Sequence, residues 1–182
     1  MEADLTDNRI VIRPLRADDV DAVYEAVRES IKEVAPWLPW CHPDYSREET
    51  SAFISSLAEE ANAAQDYGFA IVDAETNAFL GGIGINQINH IHRIGNLGYW
   101  VRTSCTRRGV AASAARQMAR FGFRELGLLR LEIVVAIGNH ASQRVAEKAG
   151  ATREGILRKR LLIHGQSHDA VLYSLVAEDL ED

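Results

Sequence analysis

The chain lacks the residues and patterns that mark several common classes of protein. Only two cysteines occur among 182 residues, Cys41 and Cys105, and they form no CxxC pair. No apolar run approaches the roughly 20 residues that a membrane span needs. The acidic start MEADLTDNR has none of the basic and then apolar pattern of a signal peptide. We therefore expect a cytoplasmic protein with reduced thiols and no membrane partner.

Positive charge is also scarce. The 20 Lys and Arg residues are outnumbered by 26 Asp and Glu residues, so the formal net charge is −6. This balance argues against nucleic acid as the main partner, because phosphate contacts need a basic face. No internal repeat and no linker rich in Pro, Gly or Ser interrupts the chain. Since 47% of its residues are hydrophobic, we expect one well-packed domain over residues 1–182.

Nucleotide-binding loops of two common kinds are missing as well. The chain has no GxxxxGK[ST], so a P-loop is unsupported. The run GGIG at 81–84 imitates part of a dinucleotide fingerprint, but the following INQIN is typical of a strand and not of a helix. These glycines therefore indicate a bulge or turn in a sheet.

The spacing of apolar residues predicts the element order β-α-α-β-β-β-α-β-α-β-β. Strands are predicted at 9–16, 67–73, 79–87, 96–102, 130–137, 152–163 and 167–177. Helices are predicted from Asp18 or Asp19, at 46–62 after the capping box of Ser46 and Glu49, at 108–126, and from Asn139 or His140 to Gly150. The stretch APWLPWCHPDYS between the first two helices holds three prolines and is predicted as a loop. The order predicts a mixed α/β sheet and not a repeating βαβ array.

A candidate anion site lies where the strand LGYWVR leads through a basic loop into the third helix. The first turn of a helix leaves backbone N–H groups unpaired, and its dipole places partial positive charge there. Gly109 lets the backbone approach a ligand closely, and Arg107 and Arg108 add mobile charge. On this stretch alone, an ordinary helix start with solvated arginines remains an equal alternative.

A second segment, NHASQRVAEKAGATREGILR at 139–158, changes that balance. Together with the basic loop it closely resembles the GNAT superfamily of acetyl-CoA-dependent N-acyltransferases. The family's Q/R-x-x-G-x-G/A pattern is met by TRRGVA at 106–111, with Thr106 in place of the usual first residue. The later family pattern, N-x-x-S followed by K-x-G and then EG, is matched by Asn139, Ser142, Lys148, Gly150, Ala151, Glu154 and Gly155. WLPW at 37–40 and the ending LLIHGQSHDAVLYSL resemble the branch that acetylates the N-termini of ribosomal proteins.

The resemblance implies a fold and a cosubstrate. It implies a GNAT-like α/β (α+β) fold, with a mixed, mostly antiparallel sheet of about seven strands flanked by about four helices. Acetyl-CoA would be the cosubstrate, with no metal. Its pyrophosphate would lie on Arg107, Arg108, Gly109, Val110 and Ala111, and its pantetheine arm on Trp100, Val101, Arg102 and Asn139. Ser142 would lie near the thioester sulfur and give a proton to the leaving thiolate.

The implied reaction is direct attack by a protein N-terminal amine on the thioester. An α-amine has a pKa near ~8 and is roughly one-tenth neutral at pH 7, so a weak base suffices. Some relatives have a glutamate where this chain has Leu161, which leaves the general base open among Glu132, Glu154, His164 and Tyr173. Trp37 and Trp40 either line the acceptor cleft or pack against the edge of the hydrophobic core. Asn86 is a candidate for a hydrogen bond to the acceptor backbone.

Two further readings stay open, and two minor ones are disfavoured. The acceptor could be a small amine such as a polyamine, an aminoglycoside or an amino acid. Alternatively, Thr106 and Leu161, which depart from common patterns, would suit a non-catalytic CoA-binding domain. His90 and His92 lack an evident third metal ligand, and this mechanism needs no thiol nucleophile at Cys41. Either a monomer or a homodimer fits the sequence.

Overall fold

The computed structural model describes residues 5–6, 9–62 and 65–180. Its strands are β1 Leu5–Thr6, β2 Ile10–Pro14, β3 Tyr67–Asp73, β4 Phe79–Asn89, β5 Ile94–Val101, β6 Arg130–Ala136, β7 Thr152–Ile163 and β8 Gln166–Leu175. Its helices are α1 Val20–Val34, α2 Arg47–Asn62, α3 Val110–Arg124 and α4 His140–Lys148. The predicted element order is confirmed, and the structure adds the two-residue strand β1.

All the described strands form one sheet in the order β1-β2-β3-β4-β5-β6-β8-β7. Every neighbouring pair is antiparallel except β5 and β6, which run parallel. The predicted mixed, mostly antiparallel sheet with four flanking helices is therefore confirmed. The parallel pair is connected through α3, as parallel neighbours require a crossover.

The two faces of the sheet are covered unequally. On the α3 face, α3 and α4 pack over both halves of the sheet, in a core that includes Leu97, Met118 and Leu131. On the opposite face, called here the α1 face, α1 and α2 pack on β2 to β5 through side chains such as Val27 and Phe79. Among the described residues, no side chain of β6, β7 or β8 joins this second cluster. Neither α1 nor α2 therefore extends this second cluster over β6, β7 and β8 on the α1 face.

Short-range signals in the sequence place several element ends correctly. The capping box forms: Glu49 N donates to Ser46 Oγ at 3.2 Å, and Ser46 N donates to Glu49 Oε2 at 2.9 Å. His164 and Gly165, at φ 48° and 76°, make the two-residue turn between β7 and β8. This geometry matches the twist of an antiparallel hairpin. No helix among the described residues is long and apolar enough to cross a lipid bilayer.

Candidate active site

The central feature of the site is a gap that opens between β5 and β6. The two strands pair only at Ile94–Arg130, Gly95–Leu131 and Asn96–Glu132. Beyond Asn96, β5 continues to Val101 and β6 to Ala136 without further pairing to each other. The facing backbone groups are thus left without sheet partners from the neighbouring strand. An extended ligand can supply those hydrogen bonds from within the gap.

The basic loop at 107–109 stands beyond the wide end of this gap, just before α3. Arg107 has φ 63° and Gly109 has φ 80°, both in the left-handed region. Successive N–H groups in such loops form a concave anion site, here continued by the unpaired first turn of α3 at Val110 and Ala111. The side chains of Arg107 and Arg108 are exposed. The loop therefore has the geometry and the charge to hold a pyrophosphate.

The start of α4 lies across the α3 face of the gap and is held by two side chains. Asn139 is the N-cap residue, and its Oδ1 accepts a hydrogen bond from Ser142 N at 3.1 Å. The hydroxyl of Tyr99 donates to the carbonyl oxygen of Ser142 at 3.1 Å and lies 3.2 Å from Ser142 Oγ. The structure therefore places Asn139 and Ser142 in one turn, directly against β5.

Tyr99 was not predicted from the sequence. Its ring is half-buried, but burial of the hydroxyl raises the pKa of Tyr99 to about 12, so the hydroxyl stays protonated near neutral pH. Alternation along GYWV in β5 places Tyr99 and Trp100 on opposite faces of the sheet. The alternation in the sequence could have identified Tyr99 as a site residue, provided that α4 was known to pack on the α3 face.

The side chains of Trp100 and Arg102 face away from α4. The Trp100 indole lies over Gly82, where a Cβ atom would be 2.6 Å from its Nε1. Val101 ends β5, and Arg102 lies beyond the strand, with its Nε donating to Glu29 of α1. Backbone atoms of Trp100 and Val101 can thus face the gap, whereas the Arg102 guanidinium is held at α1.

The two loop tryptophans stand at the open end of the gap. Trp40 meets Trp100 edge-on, with ring centroids 5.6 Å apart. Trp37 lies beside Gly138, just beyond β6, where a Cβ atom would be 3.4 Å from Cη2 of Trp37. One tryptophan therefore lies beside the end of β5 and the other beside the end of β6. Trp40 is still 40% exposed and available to a ligand.

Next to these tryptophans the α1 side of β5 is open, and we call this surface the cleft. A Cβ atom added at Gly98 would meet only Asn96 Nδ2, at 4.0 Å, so the space above β5 is open. Asn86 on β4 accepts from Asn96 on β5 at 2.8 Å, and this amide pair bounds the cleft. The cleft therefore presents aromatic rings at one end and amides at the other.

The hairpin of β7 and β8 also contacts the segment that carries the two loop tryptophans. His164, at the tip of the hairpin, places its Nε2 2.7 Å from the carbonyl oxygen of Ala35, at the end of α1. Ala35 directly precedes the loop that carries Trp37 and Trp40. The hairpin tip and the tryptophan loop thus meet beside the cleft.

Glu154, one of the candidate bases, is held in an ion pair. Arg130 donates to both Glu154 oxygens at 2.6 Å, and Ser174 Oγ donates to Glu154 Oε1 at 2.7 Å. These hydrogen bonds, those from Arg130 first, lower the pKa of Glu154 to about 2. A carboxylate this acidic is a poor proton acceptor near neutral pH, so the structure disfavours Glu154 as the base.

The other three candidates also have partners. Tyr173 is buried and donates to Glu147 at 3.1 Å, and burial raises the pKa of Tyr173. His164 Nε2 faces a carbonyl oxygen and must carry a proton to bond it. Glu132 lies at the apex of the gap on the α1 face, and its Oε1 accepts from Arg130 Nε at 3.1 Å. Tyr173 and Glu154 are thus held by strong partners, whereas Glu132 keeps one carboxylate oxygen without a hydrogen bond among the contacts of the described residues.

The remaining residues singled out from the sequence lie away from the gap. His90 and His92 lie in the turn between β4 and β5, where His92 N donates to Asn89 Oδ1 at 2.9 Å. Cys41 is buried, and burial raises the pKa of its thiol. Within the part of the chain that the structure describes, no three His, Cys, Asp or Glu side chains are grouped to hold a metal ion.

Comparison with known proteins identifies the family. The family profile described as the acetyltransferase (GNAT) domain matches residues 9–152. The chain is similar to YdaF of Bacillus subtilis (strain 168), which is provisionally named a ribosomal N-acetyltransferase. The two are 26% identical over 188 aligned positions that cover 94% of this chain and 93% of YdaF.

Two further similarities bear on the ligands. The structure of Mycobacterium smegmatis RimJ in complex with CoA-disulfide superposes with a TM-score of 0.84 and 27% identity, covering 95% of this chain and 84% of RimJ. The spermidine N(1)-acetyltransferase of Escherichia coli (strain K12) is 29% identical over 162 positions, covering 89% of this chain and 83% of that enzyme. The relatives thus include a CoA complex and an enzyme named for a small-amine substrate.

Proposed function

Since the chain belongs to the GNAT acetyltransferase family, we propose that it transfers the acetyl group of acetyl-CoA to the N-terminal amine of a protein or peptide. The observation that carries the acceptor class is the character of the cleft on the α1 face. Its bounding side chains are the indoles of Trp40 and Trp100 and the amides of Asn86 and Asn96. Aromatic rings and amides suit an extended peptide, since amides can bond its backbone and indoles can cover an apolar side chain.

The charges near the cleft support the same acceptor. A polyamine carries several cationic groups, which unpaired carboxylates would bind best. Three carboxylates at this face are already bonded to arginines: Glu132 and Glu154 to Arg130, and Glu29 to Arg102. A peptide with one cationic terminus needs no further acidic groups.

The α3 face would hold the cosubstrate. In this proposal the loop of Arg107, Arg108 and Gly109 and the first turn of α3 bind the pyrophosphate. The backbone of β5 before Val101 pairs with the pantetheine arm in the gap, and Asn139 fixes the start of α4 above it. Acetyl-CoA supplies an activated acetyl group, and these residues orient the thioester carbonyl toward the α1 face.

Ser142 and Tyr99 would act at the sulfur. The acceptor nitrogen forms a bond to the acetyl carbon, the carbon–sulfur bond breaks, and the Ser142 hydroxyl gives its proton to the departing thiolate and regains one from the water that took the proton lost by the acceptor nitrogen. The Tyr99 hydroxyl, 3.2 Å from Ser142 Oγ, then holds the serine oxygen in place and shares a hydrogen bond with it. Tyr99 is therefore a positioning residue for Ser142.

The hydrogen bonds that hold Glu154 and Tyr173 suit an N-terminal amine, which needs only a weak base. An α-amine with a pKa near ~8 is roughly one-tenth neutral at pH 7, whereas a lysine amine near ~10.4 is neutral about once in a few thousand. Water in the cleft can accept the single proton that the acceptor nitrogen loses. The engaged state of Glu154 and Tyr173 thus favours α-amines over lysine side chains.

The test is release of CoA thiol across a panel of acceptors. The panel holds peptides that start with Ala, Ser or Met, an N-blocked lysine peptide, spermidine and an aminoglycoside. We expect turnover of the free N-termini and a kcat/KM at least tenfold lower on the other acceptors. In the Trp40→Ala variant we expect a lower kcat/KM on the N-terminal peptides. Saturable acetyl-CoA binding, measured separately, tests the cosubstrate independently of the acceptor.

A small-amine acceptor is the second candidate. The similarity to a spermidine N-acetyltransferase favours it. Turnover of spermidine without turnover of the N-terminal peptides would replace the first proposal with this one. Family membership favours either enzyme over a non-catalytic CoA-binding domain.

A further inference from the structure

Strand β7 carries an unusual interruption beside the cleft. Leu157 pairs with Ala170 and Leu161 pairs with His168, so residues 158–160 stand opposite a single residue of β8. These three residues are Arg158, Lys159 and Arg160, and we call them the basic bulge. Lys159 has φ 52°, and its backbone N donates to Asp169 Oδ1 at 2.8 Å. The bulge is therefore held in a defined conformation by its partner strand.

The charges of the basic bulge are only partly balanced by their surroundings. All three side chains are exposed. Within the described residues, none of them forms an ion pair; Asp169, opposite the bulge on β8, accepts from the Lys159 backbone and leaves two of the three positive charges in excess. In a chain with a net charge of −6, three adjacent unpaired cations are a local exception. Bulges next to active sites commonly redirect side chains toward a ligand.

The basic bulge lies on β7, the edge strand of the sheet, and β8 separates it from β6 at the gap, a span of two strand spacings or about 10 Å. Leu161 pairs with His168 and Leu157 with Ala170, and Ala170 in turn pairs with Ala136 of β6. The strand segments on both sides of the bulge therefore continue the floor that begins at β6. From Arg160 the strand runs four residues, about 13 Å at 3.3 Å per residue, to the hairpin tip that touches α1.

We propose that the basic bulge binds acidic side chains that follow the N-terminal residue of a protein acceptor. This inference rests on the proposed function and specifies its substrate class. An extended peptide advances about 3.3 Å per residue, so acceptor residues from about the fourth onward would cover the roughly 10 Å from β6 to the bulge. Carboxylates complement the three cations in charge. An RNA backbone fits less well, because phosphate binding needs a broader basic face than this acidic chain offers.

The experiment compares three peptides with the same first four residues and with Glu, Gln or Lys at positions five to eight. The enzymes are the wild type, the double variant Arg158→Gln/Arg160→Gln, and Arg124→Gln as control. Arg124 is exposed at the end of α3, on the other face of the sheet. In each variant, turnover of the Gln peptide normalises for the amount of folded enzyme.

For the wild type we expect kcat/KM on the Glu peptide to exceed that on the Gln peptide about tenfold, with the Lys peptide lowest. The Glu advantage should fall to about twofold in the double variant and in high salt, and stay unchanged in Arg124→Gln. Equal kcat/KM on all three peptides would overturn this inference and leave the proposed function intact. No turnover of any peptide would overturn both. A double variant that loses affinity for single-stranded RNA but keeps the Glu advantage would overturn it in favour of RNA.

Discussion

The two faces of the β5–β6 gap are built in different ways. On the α3 face, the candidate cosubstrate site comes from two short segments, the loop at 107–111 and the turn at 139–142. On the α1 face, the candidate acceptor cleft draws on the loop of Trp37 and Trp40, on Asn86, and on the hairpin tip at His164. One side is thus local in sequence and mainly backbone, and the other is dispersed and mainly side chain.

The difference has a physical reason and a consequence. Backbone N–H groups at a helix start bind phosphate whatever the neighbouring side chains are, provided that the loop can adopt its left-handed turns. A cleft made of side chains changes with each substitution. We therefore expect variants on the α3 face to impair every acceptor equally, and variants on the α1 face to change the choice of acceptor.

The largest expected effect is on the α3 face. Ser142→Ala should lower kcat about 100-fold on every acceptor, because a positioned proton donor contributes roughly 100-fold or more. The KM for acetyl-CoA should change little, since the backbone N of Ser142 still bonds Asn139. Steady-state kinetics on two acceptors measure both values. A loss confined to one acceptor would contradict the assignment of Ser142 to the cosubstrate side.

Tyr99→Phe is the companion variant, because it keeps the ring and removes the hydroxyl that lies 3.2 Å from Ser142 Oγ. A positioning role predicts a smaller loss of kcat than in Ser142→Ala, and almost no further loss when both changes are combined. Additive losses in the double variant would show that the two hydroxyls act independently.

The next effect concerns the backbone of the basic loop. Gly109→Ala should raise the KM for acetyl-CoA about five- to tenfold, because φ 80° costs an L-residue roughly 1–2 kcal/mol and the loop relaxes away from its binding shape. Gly165→Ala is the matched control: its φ is 76° and, as at Gly109, a Cβ atom meets nothing within 4 Å. It should lose similar stability and keep the KM for acetyl-CoA. Equal KM changes in both variants would refute a specific role of the loop.

The smallest expected effect concerns the stability of the half of the sheet formed by β6, β7 and β8. The folded pKa of Glu154, about 2, lies below its ordinary value of 4.5, so its ion pair stabilises the fold above pH 4.5 and is lost as the pH falls toward 2. Glu154 is partly exposed, so we expect Glu154→Gln to cost only about 1 kcal/mol of unfolding free energy at pH 7. The cost should shrink to near zero at pH 2. Urea unfolding at several pH values measures it, with Glu25→Gln, exposed on α1, as control.

The cosubstrate side was largely predictable from the sequence, and the structure shows why. The glycine at 109, the N-cap at 139 and the capping box at 46–49 are signals that act within a few residues, and each is present at its predicted element end. The placement of Asn139 and Ser142 in one turn follows from their spacing. The assigned roles of these residues stay predictions until the kinetics are measured.

Only part of the candidate acceptor cleft was predicted from the sequence. Trp37, Trp40 and Asn86 were singled out, but not the contact of Trp37 with Gly138 or the pairing of Asn86 with Asn96. The four candidate bases could not be ranked either, because the partners of Glu154 and Tyr173 come from other strands and from α4. The short strand β1 was missed, since two residues carry no recognisable period.

By itself, the sequence determined the elements, their order and the loop that suits a phosphate, because caps, turns and alternation depend on neighbours along the chain. Tertiary structure decided what lies across the gap. The strand order places β6 beside β5 for only three residue pairs, brings Tyr99 under Ser142, and joins the hairpin tip to the end of α1. These contacts depend on sheet register and helix packing between distant segments, and no local pattern in the chain specifies them.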